Sequence, residues 1–487
     1  MSENINKAEL ERLLAELNNV AIKPREAYNY HLTDLGNAQF FADLHGEDVK
    51  HCAVWSKWLV WDGKRWAIDK TAAVYRLAKK TVAKMYEIAG ALEDPDQRQQ
   101  LARHAISSES DSKIKAMLSL AESEPNIAVP PDIFDTDPWL LNVANGTLDL
   151  RTGELKPHNR ADFITKLVPI EYRPETETPL WHSFLTRIMD GNDDLIRFLQ
   201  KAAGYSLTGL TSERCLFICY GTGNNGKSVF LSTLLKIAGE YAKQVPKELL
   251  IKRQYGNEHP TVIADLNGVR LAATIETEKD NMFAESQVKW LTGGDRITAR
   301  YMRGDYFEFD PTHKIWMATN HKPIIRGTDN AIWNRIRLIP FNVTIPPEEQ
   351  DKHLTEKLEA ELSGILAWAV EGCLAWQKEG MNPPPEVTKA TQEYREEMDI
   401  LADFLADCCL IGPEHTEKNA DLYKAYCRWC EEQGTKPVSQ RTFTETLRER
   451  GHQNEKTMYG RIWRGLCLND EAKKQLSFYH ENQKNEM

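Results

Sequence analysis

The sequence lacks the features that mark membrane-spanning, secreted and fibrous proteins. It has no uncharged apolar run of about 18 residues, so we expect no transmembrane helix. The first 29 residues carry several glutamates and no apolar centre, which excludes a secretory signal. The nine cysteines are scattered, as in proteins of reducing compartments, and neither repeats nor low-complexity tracts occur. These absences predict a cytoplasmic globular protein.

Positive charge is also scarce, because the formal net charge is −11 at pH 7. This balance excludes a general attraction of the whole protein to nucleic acid, so any such binding must come from local basic patches. The chain has 487 residues, of which 41% are hydrophobic and 27% charged, enough to build several buried cores. Its length predicts about three domains.

One stretch stands out as a phosphate-binding loop. It follows the pattern of Gly, four residues, Gly, Lys and Ser or Thr, and comprises Gly221, Thr222, Gly223, Asn224, Asn225, Gly226, Lys227 and Ser228. Backbone N–H groups of such a loop converge on the phosphates of a nucleotide, the lysine adds a positive charge, and the serine hydroxyl binds Mg²⁺. An apolar strand before it and an amphipathic helix after it complete the required order. We therefore predict an ATP and Mg²⁺ site, with Lys227 facing solvent before nucleotide binds.

Carboxylates follow a second apolar strand, at residues 269–278. Hydrolysis of a nucleoside triphosphate needs a carboxylate at the end of a neighbouring strand, to hold Mg²⁺ through water and to orient the attacking water. Glu276 is the first candidate for this role and Glu278 the second.

Three later segments add polar groups in a fixed order. Alternating residues on both sides of a turn at 303–305 predict a hairpin that carries Arg300 and Arg303 at or near its tip. A strand over 314–320 ends in Asn320, a candidate sensor of the γ-phosphate or of the attacking water. Arg335 follows, and an arginine at such a point is a candidate finger for a neighbouring subunit's site.

Taken together, residues 181–341 resemble the superfamily 3 helicase core of the phage and plasmid primase-helicase family, which is related to the poxvirus primase-helicases. The Gly-x-Gly-x-Asn-Gly-Lys-Ser loop, the Glu-Thr-Glu strand end, the Leu-Thr-Gly-Gly-Asp segment, the Thr-Asn strand end and the Trp-x-Arg-Ile-Arg stretch carry the resemblance. It implies an α/β AAA+ type P-loop NTPase that forms a ring, usually hexameric, with Arg303 pointing into a DNA channel. Thr277 separates two glutamates that are adjacent in many relatives, which leaves their division of labour open.

The flanking regions divide the chain further. We expect a helix and linker over 1–29, an α+β accessory domain over 30–180, the ATPase core over 181–380, a proline-rich linker over 381–390, a winged-helix-like module over 391–470 and a polar tail over 471–487. Tryptophans 55, 58, 61 and 66 surround an Asp-Gly turn and form either a hairpin core or a platform for stacking bases. About 30 residues before the accessory domain cannot hold a polymerase-type primase, so priming would fall to a separate partner.

The C-terminal region has a local excess of positive charge. Residues 436–464 include Arg441, Arg461 and Arg464, and the resemblance implies a winged helix that binds DNA, with residues 459–463 in the wing. The alternative is a helical packing domain with a solvated basic face. Cys427 and Cys430 have a zinc-like spacing, but they fall inside a helical pattern without a second pair, which argues against zinc.

The sequence thus predicts an ATP-dependent replicative DNA helicase of a phage, satellite or plasmid, a hydrolase acting in the bacterial host cytoplasm. The main alternative is a replication initiator in which ATP only controls assembly on origin DNA. A third reading, a remodelling ATPase that acts on protein, is disfavoured because the predicted hairpin is basic rather than aromatic at its tip.

Overall fold

The computed structural model describes residues 28–252, 260–276, 281–302, 304–327, 329–458 and 460–476. The helix expected within residues 1–29, Glu278 and Arg303 lie outside these ranges. None of the helices in the described part is both long and apolar enough to span a membrane.

The first folded unit joins four helices to a small antiparallel sheet. The helices are α1 (Asp34–His45), α2 (Ala73–Ala91), α3 (Pro95–Ser108) and α4 (Asp111–Ala121). The strands, in their order across the sheet, are β1 (Val49–Cys52), β2 (Lys57–Trp61) and β3 (Trp66–Ile68).

The hairpin predicted around Asp62 and Gly63 is confirmed. Trp61 pairs with Trp66 across it, and the Asp62 carboxylate accepts the two backbone N–H groups that follow Gly63, at 2.9 Å each. Trp66 is buried, and its indole N–H donates to the carbonyl of Arg160 at 2.8 Å. This burial supports the interpretation of the tryptophans as a hairpin core over that of a stacking platform.

A second small sheet packs against the nucleotide-binding part of the chain. It contains β4 (Leu140–Val143), β5 (Gly146–Asp149) and β6 (Glu154–Lys156), and its buried side chains share one hydrophobic cluster with the helices around 181–207 and 362–376. Arg270, also buried, donates to the carbonyls of Leu140 and Leu207 at 2.8 Å each. The boundary expected at residue 180 therefore cuts through a continuous core.

The sequence also predicts helical structure over residues 184–207, and the structure divides this segment between two helices. Helix α5 (Pro179–Ile188) ends before a turn in which Asp190 and Gly191 have φ of 54° and 69°. Asn192 then caps α6 (Asp193–Leu207) by accepting the N–H of Leu195 at 3.0 Å. Helical structure is thus confirmed for most of the segment, and left-handed backbone interrupts it at this Asp-Gly pair.

The central layer is a five-stranded parallel sheet. Its strands are β7 (Leu216–Tyr220), β8 (Ala242–Gln244), β9 (Leu271–Glu276), β12 (Lys314–Thr319) and β13 (Ile336–Pro340), and their order across the sheet is β13-β7-β12-β9-β8. Helices α7 (Lys227–Ala238) and α8 (Pro260–Ala264) belong to its connections. Because the strands are parallel, all their carboxyl ends lie along one edge.

A hairpin is inserted between β9 and β12. Helix α9 (Glu285–Leu291) leads into β10 (Ile297–Arg300) and β11 (Tyr306–Phe309), and the strands pair from Ile297 with Phe309 to Arg300 with Tyr306. The short helix α10 (Asn330–Trp333) precedes β13. The predicted hairpin is thus confirmed.

Three helices follow the sheet: α11 (Leu354–Glu359), α12 (Leu362–Glu379) and α13 (Pro385–Glu397). The proline-rich segment 381–390, expected as a linker, is packed into the fold, because Pro385 begins α13 and Val387 is fully buried. Thr391 accepts the N–H of Leu338 at 3.0 Å, which joins this helix to β13. A proline at the first position of a helix is compatible with helix formation.

The C-terminal module has its own core. Its order is α14 (Ile400–Cys408), β14 (Cys409–Lys418), α15 (Asn419–Glu432), α16 (Gln440–Glu449), β15 (Gln453–Thr457) and β16 (Gly460–Leu468), with an antiparallel sheet ordered β14-β16-β15. Trp463, expected in a wing, is fully buried and its indole N–H donates to Asn419 Oδ1 at 2.8 Å. It belongs to the core of the module, which it shares with Leu466 and Leu468 of the same strand.

Candidate nucleotide site and nucleic-acid interfaces

The predicted phosphate loop connects the carboxyl end of β7 to the first turn of α7. Gly226, with φ of 80°, immediately precedes the helix, and a Cβ there would lie 2.5 Å from a methyl carbon of Ile188. Only glycine fits this combination of left-handed backbone and close approach. The backbone N–H groups at the start of α7 have no earlier turn to donate to, which makes this end suited to an anion.

Lys227 is buried within the loop, contrary to the expectation that it faces solvent. Its Nζ donates to Gly221 O and Asn225 Oδ1 at 2.7 Å each, and to Asn320 Oδ1 at 3.1 Å. Desolvation lowers the pKa of Lys227 from 10.5 to about 8. The oxygens around the ammonium group are neutral, so they satisfy its donors without cancelling its charge.

Asn320 reaches Lys227 because β12 lies between β7 and β9. Thr319 pairs with Tyr220 on one side and with Glu276 on the other, so three strand ends meet at the same level of the sheet. Neighbouring strands are about 4.8 Å apart, which puts the backbone of Glu276 about 10 Å from that of Tyr220. The structure therefore brings together the loop, Asn320 and the backbone of Glu276; the side chain of Glu276 is not described.

The donor set at this edge fits Mg²⁺. Ser228 is exposed at the second position of α7, and Glu276 ends β9 at the same edge of the sheet. Hydroxyl and carboxylate oxygens, completed by water and phosphate oxygens, are the ligands that Mg²⁺ takes in nucleotide sites.

A cavity that the sequence did not reveal lies beside the loop. It has a volume of about 430 Å³ and is lined by apolar residues such as Ile188, Met189 and Pro340 and, in similar number, by charged and polar residues: Asp190, Asn192, Lys322, Asn342, Glu386, Lys389 and Glu393. Its residues come from segments more than 100 positions apart, so no local pattern could have found them. Three carboxylates and two lysines among these residues give the cavity a charged rather than an apolar wall.

Arg335 lies at the amino ends of the parallel strands, whereas the loop lies at their carboxyl ends. Its carbonyl accepts the N–H of Leu216 at 2.7 Å, at the beginning of β7, whereas the loop follows the end of that strand. Five residues of β7 separate the two positions, a distance of about 16 Å. Arg335 is half-buried, and its Nε donates to Thr292 Oγ1 at 3.0 Å.

The hairpin tip carries aromatic as well as basic groups. Arg300 lies 4.8 Å from the ring centroid of Tyr306, its partner across the hairpin. Tyr301, Met302 and Tyr306 are exposed beside it. The description of the tip as basic rather than aromatic is therefore incomplete, because the side chains that face solvent around Arg300 are large and apolar.

The three arginines predicted to bind DNA in the C-terminal module are all at its surface. Arg441 is exposed on α16 and pairs with Glu445. On β16, Arg461 donates to Asn454 Oδ1 at 3.0 Å, and Arg464 pairs with Glu455 at 2.6 Å. The latter two arginines extend from the same hairpin.

Family models match three regions of the chain. The model described as D5 N terminal like matches residues 38–190, a family of unknown function (DUF5906) matches residues 219–335, and the model described as Poxvirus D5 protein-like matches residues 396–481. The first of these spans both small sheets, the second runs from the phosphate loop to Arg335, and the third covers the C-terminal module.

Similar proteins come from large DNA viruses. The chain is 27% identical over 333 residues to "Putative helicase L207/L206" of Acanthamoeba polyphaga mimivirus, which covers 62% of the chain and 34% of that protein. It is 31% identical over 253 residues to "Putative helicase 022R" of Frog virus 3, covering 48% and 26%. It is 28% identical over 338 residues to "Putative primase C962R" of African swine fever virus (strain Badajoz 1971 Vero-adapted), covering 61% and 34%. The chain thus spans about a third or less of these relatives' length.

Among solved structures, the apo A form of the NrS-1 C terminal region is 10% identical to the chain. The similarity has a TM-score of 0.46 and covers 82% of this chain and 81% of that one.

Proposed function

Because the chain belongs to the D5-like family of proteins, we propose that it is an ATP-dependent DNA helicase that acts in replication. The names of its viral relatives, which describe helicases and primases, support this role. The observation that carries the proposal is the contact between Lys227 and Asn320 at the carboxyl edge of the parallel sheet. It joins a phosphate-binding lysine to a polar group on the adjacent strand, the arrangement that hydrolysis at a γ-phosphate requires.

ATP binds with its phosphates on the loop. Lys227 exchanges some of its neutral partners for phosphate oxygens, which raises its pKa and fixes its charge. Ser228 and Glu276 would hold Mg²⁺, which would neutralise charge on the phosphates. Asn320 orients the attacking water, and Glu276 or Glu278 polarises it.

Hydrolysis takes place between subunits of an AAA+ type ring. Arg335 is about 16 Å from the loop of its own subunit along β7, too far for contact with the same nucleotide. An arginine at that edge is available instead to the nucleotide of a neighbouring subunit, where it stabilises charge in the transition state. A closed ring, which we take to be hexameric, repeats this interface around its axis.

The DNA contacts divide between two surfaces. The hairpin with Arg300 and Arg303 projects into the pore and contacts one strand without regard to sequence. The C-terminal module acts as a winged helix that binds duplex or origin DNA through Arg441, Arg461 and Arg464. The protein works in the cytoplasm of the host of a phage, satellite or plasmid; this origin rests on the sequence resemblance.

A strand-displacement assay on forked DNA, run with ATPase measurements, tests the proposal. The parent protein should unwind the fork, and Lys227→Ala should lose both hydrolysis and unwinding while it keeps the fold, as judged by circular dichroism. Assembly on DNA that depends on ATP but displaces no strand would instead favour the replication initiator. Normal ATPase activity in Lys227→Ala would contradict the nucleotide site itself.

A further inference from the structure

The side chain of Arg335 is held by a residue to which no role has been given. Its Nε donates to Thr292 Oγ1 at 3.0 Å, and the same hydroxyl donates to the carbonyl of Val288 at 2.6 Å. Thr292 is 6% exposed, so water does not compete well for this hydroxyl. The helical turn of α9 therefore sets the direction from which the hydroxyl receives the guanidinium group.

Thr292, the residue directly after α9, forms one of three contacts that lie along a single face of this helix. Glu285, Lys289 and Thr292 are spaced i, i+4 and i+7, which aligns them along one side of a helix. Glu285 accepts the backbone N–H groups of Arg326 and Gly327 at 2.9 Å each. All three side chains contact the segment that ends at Arg335.

The middle contact fixes the helix that precedes Arg335. Lys289 pairs with Asp329 at 2.6 Å, and Asp329 caps α10 by accepting the N–H of Ile332 at 3.1 Å. The backbone of Gly327 also lies close to α9, because a Cβ at that position would lie 2.2 Å from a Glu285 carboxylate oxygen. The segment that ends at Arg335 thus contacts α9 at its beginning, middle and end.

The same helix is joined to the base of the hairpin. Strand β10 begins five residues after Thr292, and on the other side of the hairpin the imidazole of His313 donates to the carbonyl of Leu291 at 3.1 Å. His313 and Leu291 are both buried. On one side, the last turn of α9 therefore contacts the residues at which the hairpin begins and ends. On the other side, it contacts the guanidinium group of Arg335.

We propose that Thr292 is the positioning residue for Arg335 and that α9 links the hairpin to this arginine, so that strand binding at the hairpin changes hydrolysis in the neighbouring subunit. The proposal rests on the function proposed above, in which Arg335 acts across the subunit interface. The connection is a chain of direct contacts, which is the physical basis that coupling between two sites requires.

The test compares variants of Thr292 in the assembled ring by DNA-stimulated ATPase kinetics. Thr292→Val keeps the shape but removes the hydroxyl, and we expect kcat to fall about tenfold with unchanged nucleotide affinity, because a hydrogen bond to a charged group is lost. Thr292→Ser keeps the hydroxyl and should stay within about twofold of the parent. Thr312→Val is the matched control, because its hydroxyl likewise donates to a backbone carbonyl, that of Val269 at 2.7 Å, and it should leave kcat unchanged.

A double variant separates positioning from general damage. Thr292→Val combined with Arg335→Ala should be no slower than Arg335→Ala alone, because the hydroxyl acts only through the arginine. Mixed rings of Thr292→Val and Lys227→Ala subunits should regain activity, since some interfaces then join an intact finger to an intact loop. Losses that multiply in the double variant, or Thr292→Ser as slow as Thr292→Val, would overturn the assignment. A parent protein without ATPase activity would contradict the proposed function instead, and this assignment with it.

Discussion

The depressed pKa of Lys227 predicts that nucleotide affinity falls in mildly alkaline solution. Only the charged lysine attracts the phosphates, and desolvation in the unliganded site lowers its pKa to about 8. The bound phosphates raise that pKa again, so binding is linked to proton uptake. The sign is therefore fixed: affinity is highest below pH 8 and decreases as the pH rises above it.

The magnitude follows from the fraction of charged lysine. The apparent dissociation constant increases by the factor 1 + 10^(pH − pKa), which for a pKa of about 8 is about 1.3 at pH 7.5 and about 11 at pH 9. Affinity should thus weaken about eightfold between these values. A lysine with the ordinary pKa of 10.5 would show almost no change over the same range. The nearby thiol of Cys219 does not interfere, because burial raises its pKa far above this interval.

Titration with a fluorescent ATP analogue, at constant ionic strength and Mg²⁺ concentration, measures this dependence. Lys227→Arg is the control, because a guanidinium group stays charged throughout the range and should remove the pH dependence. Calorimetry in buffers of different ionisation enthalpy should detect uptake of about half a proton per nucleotide at pH 8. An affinity that changes less than twofold between pH 7.5 and 9 would refute the argument that Lys227 is desolvated before nucleotide binds.

Three further predictions concern other groups. Asn320→Ala should reduce kcat far more than nucleotide affinity, because Lys227 keeps two of its three oxygen partners; equal losses in both quantities, measured by steady-state kinetics and titration, would contradict a role at the γ-phosphate. Glu276→Gln and Glu278→Gln should both slow hydrolysis in single-turnover assays, with the larger loss at Glu276. The reverse order would assign the main catalytic role to Glu278 instead. Arg461→Ala should weaken duplex binding in a fluorescence-anisotropy titration, and the number of ions released on binding, read from the salt dependence of the affinity, should fall by about one. Translocation on single strands should be unchanged. The same affinity and salt dependence as the parent would contradict a role of this hairpin in DNA binding.

Local patterns predicted the parts of the fold that local forces decide. The Asp62 and Gly63 turn needs only an acceptor side chain and a glycine next to each other, so the hairpin of the N-terminal unit was visible in the sequence. The same holds for Ser439, which directly precedes α16 and caps it by accepting the N–H of Thr442 at 3.2 Å. The Asp190 and Gly191 pair carried a comparable turn signal, which the apolar periodicity around it concealed.

Domain boundaries were less predictable because they depend on which apolar surfaces meet. The second small sheet lies within the segment expected to form the accessory domain. Its buried side chains nevertheless pack into the hydrophobic cluster that contains Trp181 and Trp368. Pro383 and Pro384 look like a linker, although Val387 a few residues later is fully buried. Composition describes how apolar a segment is, whereas burial depends on the partner it finds.

The sequence by itself determined the chemistry available at the site: a loop with glycines and a lysine, carboxylates after one strand, an asparagine after another, and an arginine further on. Only the tertiary structure decided their arrangement. Asn320 lies against Lys227 from 93 positions away because β12 is inserted between β7 and β9. Arg335 directly precedes β13 and therefore lies at the opposite end of the parallel strands. Strand order in a parallel sheet is set by how the crossovers pack, which is a property of the whole chain that no local pattern encodes.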